Sequence, residues 1–501
     1  MVTSVVEVER KYDVGADSEV PDLGGLPDVD RVLTDRFVLE AVYLDTEDLR
    51  LRAAGTTLRL RRGGPDAGWH LKLPHGADRE ELHLPADDGA DASDVPQELQ
   101  ALERSRTRTA ALVPVAELRT TRSVHRLVAA DARVLAEVAD DQVTGRPLGG
   151  GADVVWREWE VELVGGPRSL LDEVGERLAA AGATPSGSGS KVGRVLGQRP
   201  GAAWWGGAAP GGDTAGAVLH AHLREQVEEL VVRDPQVRRD RPDAVHRMRV
   251  ATRRLRSALQ TFRPLLDRAQ TDPLRDELRH LAGVLGQARD AEVMHARLQA
   301  RVAEQDPALV LGPVSRRIDL VLQQRYRAAH EAVLAELEGE RYLRLLDDLT
   351  ALVAAPPLTA LAAAPAREVL PGLVRRAWRR LDRALRDAAR EGDDALLHEA
   401  RKDAKRVRYA AEAVRPVFGR PAKRLAKEVT GLQEVLGEHQ DGVVVREALR
   451  ELAVLAQAAG ESAFTYGRLH ALEEARAAAA VRGWRKVRAQ VSRRRLRRWL
   501  R

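Results

Sequence analysis

The stretch V-H-R-M-R-V-A-T-R-R-L-R, from Val245 to Arg256, returns about 152 residues later as L-H-E-A-R-K-D-A-K-R-V-R, from Leu397 to Arg408. The histidine and most of the basic positions are kept between the two copies. A second pair of related stretches lies at nearly the same separation: L-G-Q-A-R-D, from Leu285 to Asp290, and L-G-E-H-Q-D, from Leu436 to Asp441. Two motifs that share one spacing indicate a duplicated helical unit.

The basic positions of each copy fall on one stripe of a helix with 3.6 residues per turn. The first stripe holds His246, Arg249, Arg253 and Arg256, with Arg254 beside it, and the second holds His398, Arg401, Lys405 and Arg408, with Arg406 beside it. Like charges at these spacings repel, so helix stability does not explain them. A solvated basic face is the ordinary explanation of such a run. The repetition instead favours a surface that holds an anion.

Composition excludes several classes of protein. The chain has 501 residues, enough for two or three domains with real cores. It contains no cysteine, so disulfides, thiolate metal sites and thiol nucleophiles are excluded. We find no secretory signal and no apolar stretch of membrane-spanning length, and so expect a cytoplasmic protein without a membrane partner.

The two halves of the chain carry opposite charge. Residues 1–219 hold 25 basic and 36 acidic residues, a net charge of −11, whereas residues 220–501 hold 55 and 39, a net charge of +16. The change falls in a Gly/Ala/Pro-rich stretch. We therefore predict a domain over 1–199, a linker over 200–216 in which Trp204 and Trp205 could dock on a domain, and a second domain over 217–501.

The second domain is predicted to be all-helical, because Ala, Leu, Arg and Glu recur with a helical period. Prolines 356, 357 and 365 separate two repeats of about 217–355 and 366–501. The first domain instead shows short alternating runs between Gly, Pro and Asp clusters, which is typical of strands. The predicted strands are Val5–Tyr12, Phe37–Asp45, Thr57–Arg62, Trp69–Leu73, Thr121–Val128, Arg133–Val143 and Val155–Val164.

Several of these strands place strong charge of mixed sign on one face. Glu158, Glu160 and Glu162 share a face, and Arg59 alternates with Leu60 before Arg61. An antiparallel sheet with one solvated side would also alternate. The clustering of glutamates and arginines favours an antiparallel barrel with its charged face inward, which encloses a polar tunnel.

Five short motifs, taken in order, resemble the CYTH family, the triphosphate tunnel metalloenzymes, which includes thiamine triphosphatases, inorganic triphosphatases and class IV adenylate cyclases. They are Glu7-Val-Glu-Arg-Lys11, Tyr43-Leu-Asp-Thr46, Leu58-Arg-Leu-Arg61, Leu71-Lys-Leu73 and the run from Glu158 to Glu162. The resemblance spans about residues 1–200. The helical repeat resembles the CHAD domain, a conserved-histidine helical domain associated with CYTH and with polyphosphate binding.

The resemblance to CYTH implies roles for individual residues. Glu7, Glu9 and Lys11 are implied as catalytic. Divalent-metal ligands, for Mg²⁺ or Mn²⁺, are implied at Glu7, Glu9, Glu137, Glu158 and Glu160, although Glu162 shares the face of the last two and Asp140 is a further candidate. Phosphate-binding bases are implied at Arg59, Arg61, Lys72, Arg122, Arg126 and Lys191. By the CHAD resemblance, the two basic stripes would bind inorganic polyphosphate.

Four functions follow from these expectations. The first is metal-dependent hydrolysis of inorganic triphosphate or a related triphosphate, with polyphosphate bound by the helical domain and the protein associated with polyphosphate granules. The second is polyphosphate binding without catalysis, and the third is a class IV adenylate cyclase. Nucleic acid is the fourth candidate partner. It is not the expected one, because few aromatic residues interleave the basic helices.

Overall fold

The computed structural model describes residues 3–76, 78–87, 89–197, 210–391 and 393–501. The chain divides into two compact units, residues 1–206 and 207–501. Each unit is described by itself below.

The first unit is built on one curled antiparallel sheet of ten strands. They are β1 (Thr3–Glu7), β2 (Glu9–Val14), β3 (Arg31–Asp45), β4 (Thr57–Arg62), β5 (Gly68–His75), β6 (Asp78–Pro85), β7 (Val113–Val128), β8 (Val134–Pro147), β9 (Val154–Leu163) and β10 (Thr184–Pro185). Neighbouring strands follow the order β1-β6-β5-β4-β3-β7-β8-β9-β2-β10. The prediction of an antiparallel, inward-charged sheet followed by an all-helical domain is confirmed.

Val8 joins the two sides of the curled sheet. β1 pairs with β6, whereas β2 pairs with β9 on the far side of the strand order. The backbone N–H of Leu163 donates to the carbonyl oxygen of Val8 at 3.0 Å. The single strand predicted over Val5–Tyr12 is therefore wrong: the chain leaves one neighbour for another at Val8. Glu7 therefore ends the strand that pairs with β6, and Glu9 begins the strand that pairs with β9.

Alternation along the strands separates charge from the core. Trp159 and Val161 of β9 are fully buried in one apolar cluster, and Leu58 and Leu60 of β4 are buried in another. Helix α3 (Ser169–Ala180) covers the first cluster and α2 (Gln97–Thr107) covers the second. Because side chains on a strand point alternately to the two faces, the glutamates of β9 and the arginines of β4 face the interior of the curl.

Two short helices complete the first unit. Helix α1 (Arg50–Ala53) receives a cap from Asp45, whose carboxylate accepts backbone N–H groups of Leu51 and Arg52 at 2.8 and 2.9 Å. Helix α4 (Lys191–Val195) begins at the N-cap Ser190, whose Oγ accepts the N–H of Gly193 at 3.1 Å. It packs on β8 and β7 and brings Lys191 to the interior of the sheet.

The second unit is helical. Its helices are α5 (Ala215–Arg238), α6 (Ala244–Thr261), α7 (Arg268–Ala303), α8 (Val314–Glu338), α9 (Glu340–Ala354), α10 (Ala366–Glu391), α11 (Asp394–Ala413), α12 (Arg415–Ala458) and α13 (Phe464–Val491), followed by a 3-10 segment (Arg494–Leu500). Helices α9 and α10 flank the loop predicted between the repeats. No helix among the described residues combines the length and the apolarity that crossing a membrane requires.

The linker predicted over 200–216 extends too far. Helix α5 already begins at Ala215, because the side chain of Thr214 caps it by accepting the N–H of Ala217 at 3.1 Å. Trp204 and Trp205 lie outside the described residues.

The seat of α4 on β8 depends on a glycine. A Cβ atom on Gly145 would lie 2.2 Å from Cγ2 of the buried Val195, whereas a Cβ atom on Gly149 would have no described neighbour within 4 Å. We predict that Gly145→Ala lowers the free energy of unfolding by about 1–3 kcal/mol, as overpacking does. Gly149→Ala is the matched control and should change it little. Urea denaturation of the two variants measures this, and equal stabilities would contradict the packing.

Candidate functional site

The inward face of the curled sheet lines a cavity of about 270 Å³. Its described lining contains equal numbers of acidic and basic side chains. The acidic ones are Glu7, Glu9, Asp66, Glu81, Glu137, Glu160 and Glu162, and the basic ones are Lys11, Arg59, Arg61, Lys72, Arg79, Arg122 and Lys191. Most of the predicted site residues thus meet in one place. The cavity by itself is close to electrically balanced.

The two glutamates that flank Val8 are each held by a lysine. Lys72 Nζ lies 2.6 Å from a carboxylate oxygen of Glu7, and Lys11 Nζ lies 2.9 Å from one of Glu9. Burial raises the pKa of Glu7 to about 8, although Lys72 opposes the rise. Burial also acts to raise the pKa of Glu9, but Lys11 and Lys72 together outweigh it and the pKa is lowered. The two carboxyl groups therefore differ in how readily they ionise.

A second group of carboxylates surrounds Lys191. Its Nζ lies 2.9 Å from Asp141, 2.7 Å from Glu158 and 2.6 Å from Glu160. The guanidinium of Arg122 forks onto both oxygens of Asp141 at 2.7 and 2.6 Å and reaches Glu160 at 2.7 Å. Burial disfavours the charge on Glu160, yet its lysine and arginine neighbours hold its pKa well below the usual value.

Two further bases of the lining, Arg59 and Arg61, lie on β4. Arg59 donates to the hydroxyl of Tyr43 at 3.1 Å and lies 3.4 Å from Glu81. Arg61 pairs with Asp66. Burial, with Arg59 and Arg122 nearby, lowers the pKa of Arg61. A bound anion would stabilise these arginines further, because it would offset the repulsion between neighbouring guanidiniums.

Two of the predicted tunnel residues lie away from the lining. Arg126 is partly exposed and pairs with Asp35 and, at 3.0 Å, with Glu137, which belongs to the lining and is itself partly exposed. Glu158 is buried behind the lining, where its carboxylate also accepts the indole N–H of Trp156 at 2.6 Å. The predicted metal ligands accordingly spread along the cavity: Lys11 pairs with both Glu9 and Glu160 and so joins Glu9 to the group around Lys191, whereas Glu7 pairs with Lys72 and Glu137 with Arg126.

Sequence reasoning missed Glu81, Asp141 and the half-exposed Asp66, and it misjudged Asp140. Glu81 lies on β6, in a stretch that matched no motif, and is held by His70 at 3.0 Å. Asp141 is fully buried against Arg122, whereas the candidate Asp140 pairs with Arg157 at 2.8 Å and with Trp159. Strand alternation from Glu137 predicts this difference, since 137, 139 and 141 share one face.

The carboxylates fit a hard divalent cation. Oxygens of Asp141, Glu158 and Glu160 lie within 4.8 Å of one another, and all three residues are buried. Carboxylate oxygens are the donors that Mg²⁺ and Mn²⁺ prefer. The positive charge at this position comes from Lys191 and Arg122, so a cation that binds here would share or replace the role of Lys191, which contacts all three carboxylates.

The second unit contains a cationic cavity of about 340 Å³ between its repeats. Helix α6 contributes Arg253 and Arg256, and α11 contributes Lys405 and Arg406. Arg275 and Arg279 of α7, Lys402, Ser257, Gln260 and Tyr409 complete the described lining. The two stripes predicted from the duplicated motif therefore converge on one cavity.

The second half of each duplicated motif supports an arginine. Arg249 packs closely against Gly286: a Cβ atom added at Gly286 would lie 3.2 Å from a guanidinium nitrogen of Arg249. In the second repeat, a Cβ atom added at Gly437 would lie 3.2 Å from a guanidinium nitrogen of Arg401. Arg249 pairs with Asp290 at 3.4 Å, and Arg401 pairs with Asp441 at 3.2 Å. Both repeats thus keep the same contact, in which an arginine of one helix packs against a glycine of the next.

Three bases of the cavity lack a countercharge. No carboxylate of a described residue lies within ion-pair distance of Arg253, Arg256 or Lys405. Burial and the neighbouring guanidiniums lower the pKa of all three, and that of Lys405 falls to about 7. Half-buried, unpaired cations are costly, so this cavity favours an anion.

The other predicted stripe residues lie outside the lining of this cavity. Arg254 and Arg408 both pair with Glu412, at 3.1 and 3.2 Å. His246 and His398 are half-buried on α6 and α11. Burial, followed by Arg289, lowers the pKa of His246. Nδ1 of His398 is buried without a hydrogen-bond partner among the described atoms.

The carboxylate group around Lys191 leads to a stability test. We predict that Lys191→Met lowers the free energy of unfolding by about 3–5 kcal/mol, because three buried carboxylates lose the one cation that all of them share. Millimolar Mg²⁺ or Mn²⁺ should then raise the melting temperature of the variant more than that of the original protein. Arg126→Gln, at the partly exposed pair, should cost about 1 kcal/mol or less. A Lys191→Met variant that is equally stable and indifferent to metal would contradict the arrangement.

Comparison with known proteins matches each unit to a domain family. The CYTH domain model matches residues 6–195, and the CHAD domain model matches residues 221–450. Uncharacterized protein Rv2226 of Mycobacterium tuberculosis (strain ATCC 25618 / H37Rv) is 40% identical over 491 residues, which is 93% of each chain.

Two solved structures resemble part of the chain. PptA from Streptomyces chartreusis is 24% identical, with 56% of this chain and 100% of that chain covered and a TM-score of 0.47. The CHAD domain from the plant Ricinus communis is 27% identical, with 57% and 95% covered and a TM-score of 0.45. CYTH and CHAD domains are linked to triphosphate and polyphosphate binding, and CYTH domains are metal-dependent. The chain belongs to the family of proteins that join an N-terminal CYTH domain to a C-terminal CHAD domain.

Proposed function

We propose that the first unit hydrolyses inorganic triphosphate, or a related linear triphosphate, with a divalent cation. The supporting observation is the balanced charge of its cavity, in which every lysine of the lining is held by a carboxylate. A protein that only bound phosphate would need the bases alone. The buried glutamates between them require a second role.

Substrate binding would redistribute these ion pairs. A triphosphate carries about four to five negative charges at neutral pH and attracts the lysines and arginines. Arginines on β4 and β7 can fork onto phosphate oxygens, and the lysines supply point charge. Glu7, Glu9, Asp141 and Glu160 would then lose their present partners in a buried site. About two divalent cations would restore neutrality, which explains a joint requirement for substrate and metal.

The chain's own residues account for most of the remaining chemistry. Asp141, Glu158 and Glu160, with Glu7 and Glu9, would hold the divalent cations. A divalent cation bound there supplies charge to the phosphoryl oxygens and lowers the pKa of a water molecule. Arg122, anchored by Asp141, would fix the orientation of a phosphate group. Stabilising charge in the transition state in this way contributes more to phosphoryl transfer than covalent catalysis does.

The test of hydrolysis centres on Glu9. Glu9→Gln replaces one carboxylate oxygen isosterically, so the fold should persist while phosphate release from tripolyphosphate falls by at least about 100-fold. Glu117→Gln, an exposed glutamate of β7, is the control and should keep full activity. Excess chelator should also stop the reaction. Full turnover in Glu9→Gln or in chelator would refute the proposal, and conversion of ATP to cyclic AMP would identify a cyclase instead.

We further propose that the cavity between the helical repeats binds inorganic polyphosphate. The supporting observation is the set of bases that face it without carboxylate partners, namely Arg253, Arg256 and Lys405. A flexible chain of phosphates can contact bases from both repeats at once. Such binding should weaken steeply with salt.

A shared site makes a different prediction from two separate basic faces. Arg253→Glu combined with Arg256→Glu alters only the first repeat, yet it should remove nearly all polyphosphate binding in this cavity. Lys405→Glu combined with Arg406→Glu should do the same from the second repeat. Affinity and stoichiometry measured by calorimetry separate the alternatives. Loss of half the stoichiometry with unchanged affinity at the rest would show independent faces.

Lys405 predicts a pH dependence. Its pKa of about 7 results from burial and from Arg253, Arg401 and Arg249, with Asp441 opposing them. In the protein without ligand, the Lys405 amine is therefore protonated at pH 6 and largely neutral at pH 8. Binding of an anion at pH 8 then requires that the amine take up a proton. Affinity for polyphosphate should fall above pH 7 by up to about tenfold per pH unit. Lys405→Arg stays charged and should flatten the profile; an unchanged profile in that variant would contradict the assignment.

A further inference from the structure

A second cationic pocket lies at the C-terminal end of the helical unit. It measures about 290 Å³ and is formed by α10 and the 3-10 segment. Arginines dominate its described lining, which consists of Arg375, Trp378, Arg379, Asp382, Arg494, Arg497, Leu500 and Arg501. The residues of the 3-10 segment lie beyond the match to the CHAD domain, which ends at residue 450. The proposed polyphosphate cavity uses none of these residues.

The pocket is held in place by its apolar side. Leu496 and Leu500 of the 3-10 segment are buried, and the ring of Trp499 lies 4.8 Å from that of Phe418 on α12. Trp378 of α10 is 3% exposed. The C-terminal arginines are thus fixed against α10 rather than carried on a free tail.

The arginines of the pocket have little negative charge to pair with. Asp382 is the one acidic side chain of the described lining, and no carboxylate of a described residue lies within ion-pair distance of the five arginines. Arg497 instead lies over the indole of Trp378, with its guanidinium carbon 4.5 Å from the ring centroid. Nε1 of Trp378 is buried and has no hydrogen-bond partner among the described atoms. Five guanidiniums around one cavity repel one another, and the buried indole donor is left over, so a bound anion would be favourable here.

The side chains present indicate which anion. Guanidinium forks match phosphate oxygens, and Arg375 and Arg379 lie one helical turn apart on α10. Nucleic-acid bases need an open aromatic face on which to stack. Trp378 offers none, because it is buried and covered by Arg497. The lining therefore suits a condensed inorganic phosphate better than a nucleotide chain.

We propose that α10 and the 3-10 segment form a second phosphate-binding site, which holds a run of condensed phosphate groups independently of the cavity between the repeats. Two such sites on one helical unit would let a long polyphosphate chain bind at more than one point. Bivalent binding of this kind raises the affinity for long chains above that for short ones.

The test uses paired variants of the full chain. Arg494→Gln with Arg501→Gln removes two exposed charges of the pocket. Arg495→Gln with Arg498→Gln removes two exposed charges of the same segment that do not line it. Hydrogen–deuterium exchange of residues 492–501 is followed with and without tripolyphosphate, in chelator. Polyphosphate affinity is measured as a function of salt.

We expect tripolyphosphate to protect this segment in the original protein and in the control, but not in the pocket variant. The pocket variant should also lower the slope of log affinity against log salt by about 1.4, since each contact contributes about 0.7. Arg253→Glu with Arg256→Glu should leave the protection intact, so a failure of the central cavity does not mimic a failure here. Equal losses in pocket variant and control, or persistent protection in the pocket variant, would overturn the site. Protection by an oligothymidylate that the pocket variant abolishes equally would overturn the ligand class.

Discussion

The free-energy cost of burying a charge without a countercharge is the constraint on which the arrangement of this protein depends. In the first unit the constraint is satisfied internally: Lys72 holds Glu7, Lys11 holds Glu9, and Lys191 lies among Asp141, Glu158 and Glu160. These ion pairs lower the free-energy cost of holding charged side chains in the interior of the sheet. The same pairs prepare the cavity for ligands that bind together. An entering anion can take over the basic side chains while an entering cation takes over the carboxylates.

The second unit meets the same constraint differently. Asp290 and Asp441 compensate Arg249 and Arg401 at equivalent positions of the two repeats. Arg253, Arg256 and Lys405, which face the cavity, are left without partners. Their lowered pKa values report that cost. Compensated bases therefore hold the helices together, and uncompensated ones mark the surface where an anion is needed.

Local patterns predicted much of this arrangement, and their limits have physical causes. The repeated motif predicted two equivalent helices, and α6 and α11 carry it. Strand alternation put Glu160 and Arg59 on one interior face. The break at Val8 was not predictable from the local pattern, because it depends on pairing with two strands that are distant in sequence, β6 before Val8 and β9 after it. Asp140 was chosen in place of Asp141, although strand alternation distinguishes them: Asp141 lies on the same face as Glu137, and Asp140 lies on the opposite face. Glu81 was missed because its partners, His70 and Lys72, come together only through pairing of β5 and β6.

Crystals soaked with Mn²⁺ and a non-hydrolysable imido analogue of tripolyphosphate test the exchange of partners most directly. Anomalous difference maps locate the manganese, and the electron-density maps from the same crystals locate the lysines. We predict manganese among the cavity carboxylates only when the analogue is present, with Lys72 moved from Glu7 and Lys11 moved from Glu9 onto phosphate oxygens. Full manganese occupancy without the analogue, or analogue bound while both lysine–glutamate pairs stay closed, would contradict the account.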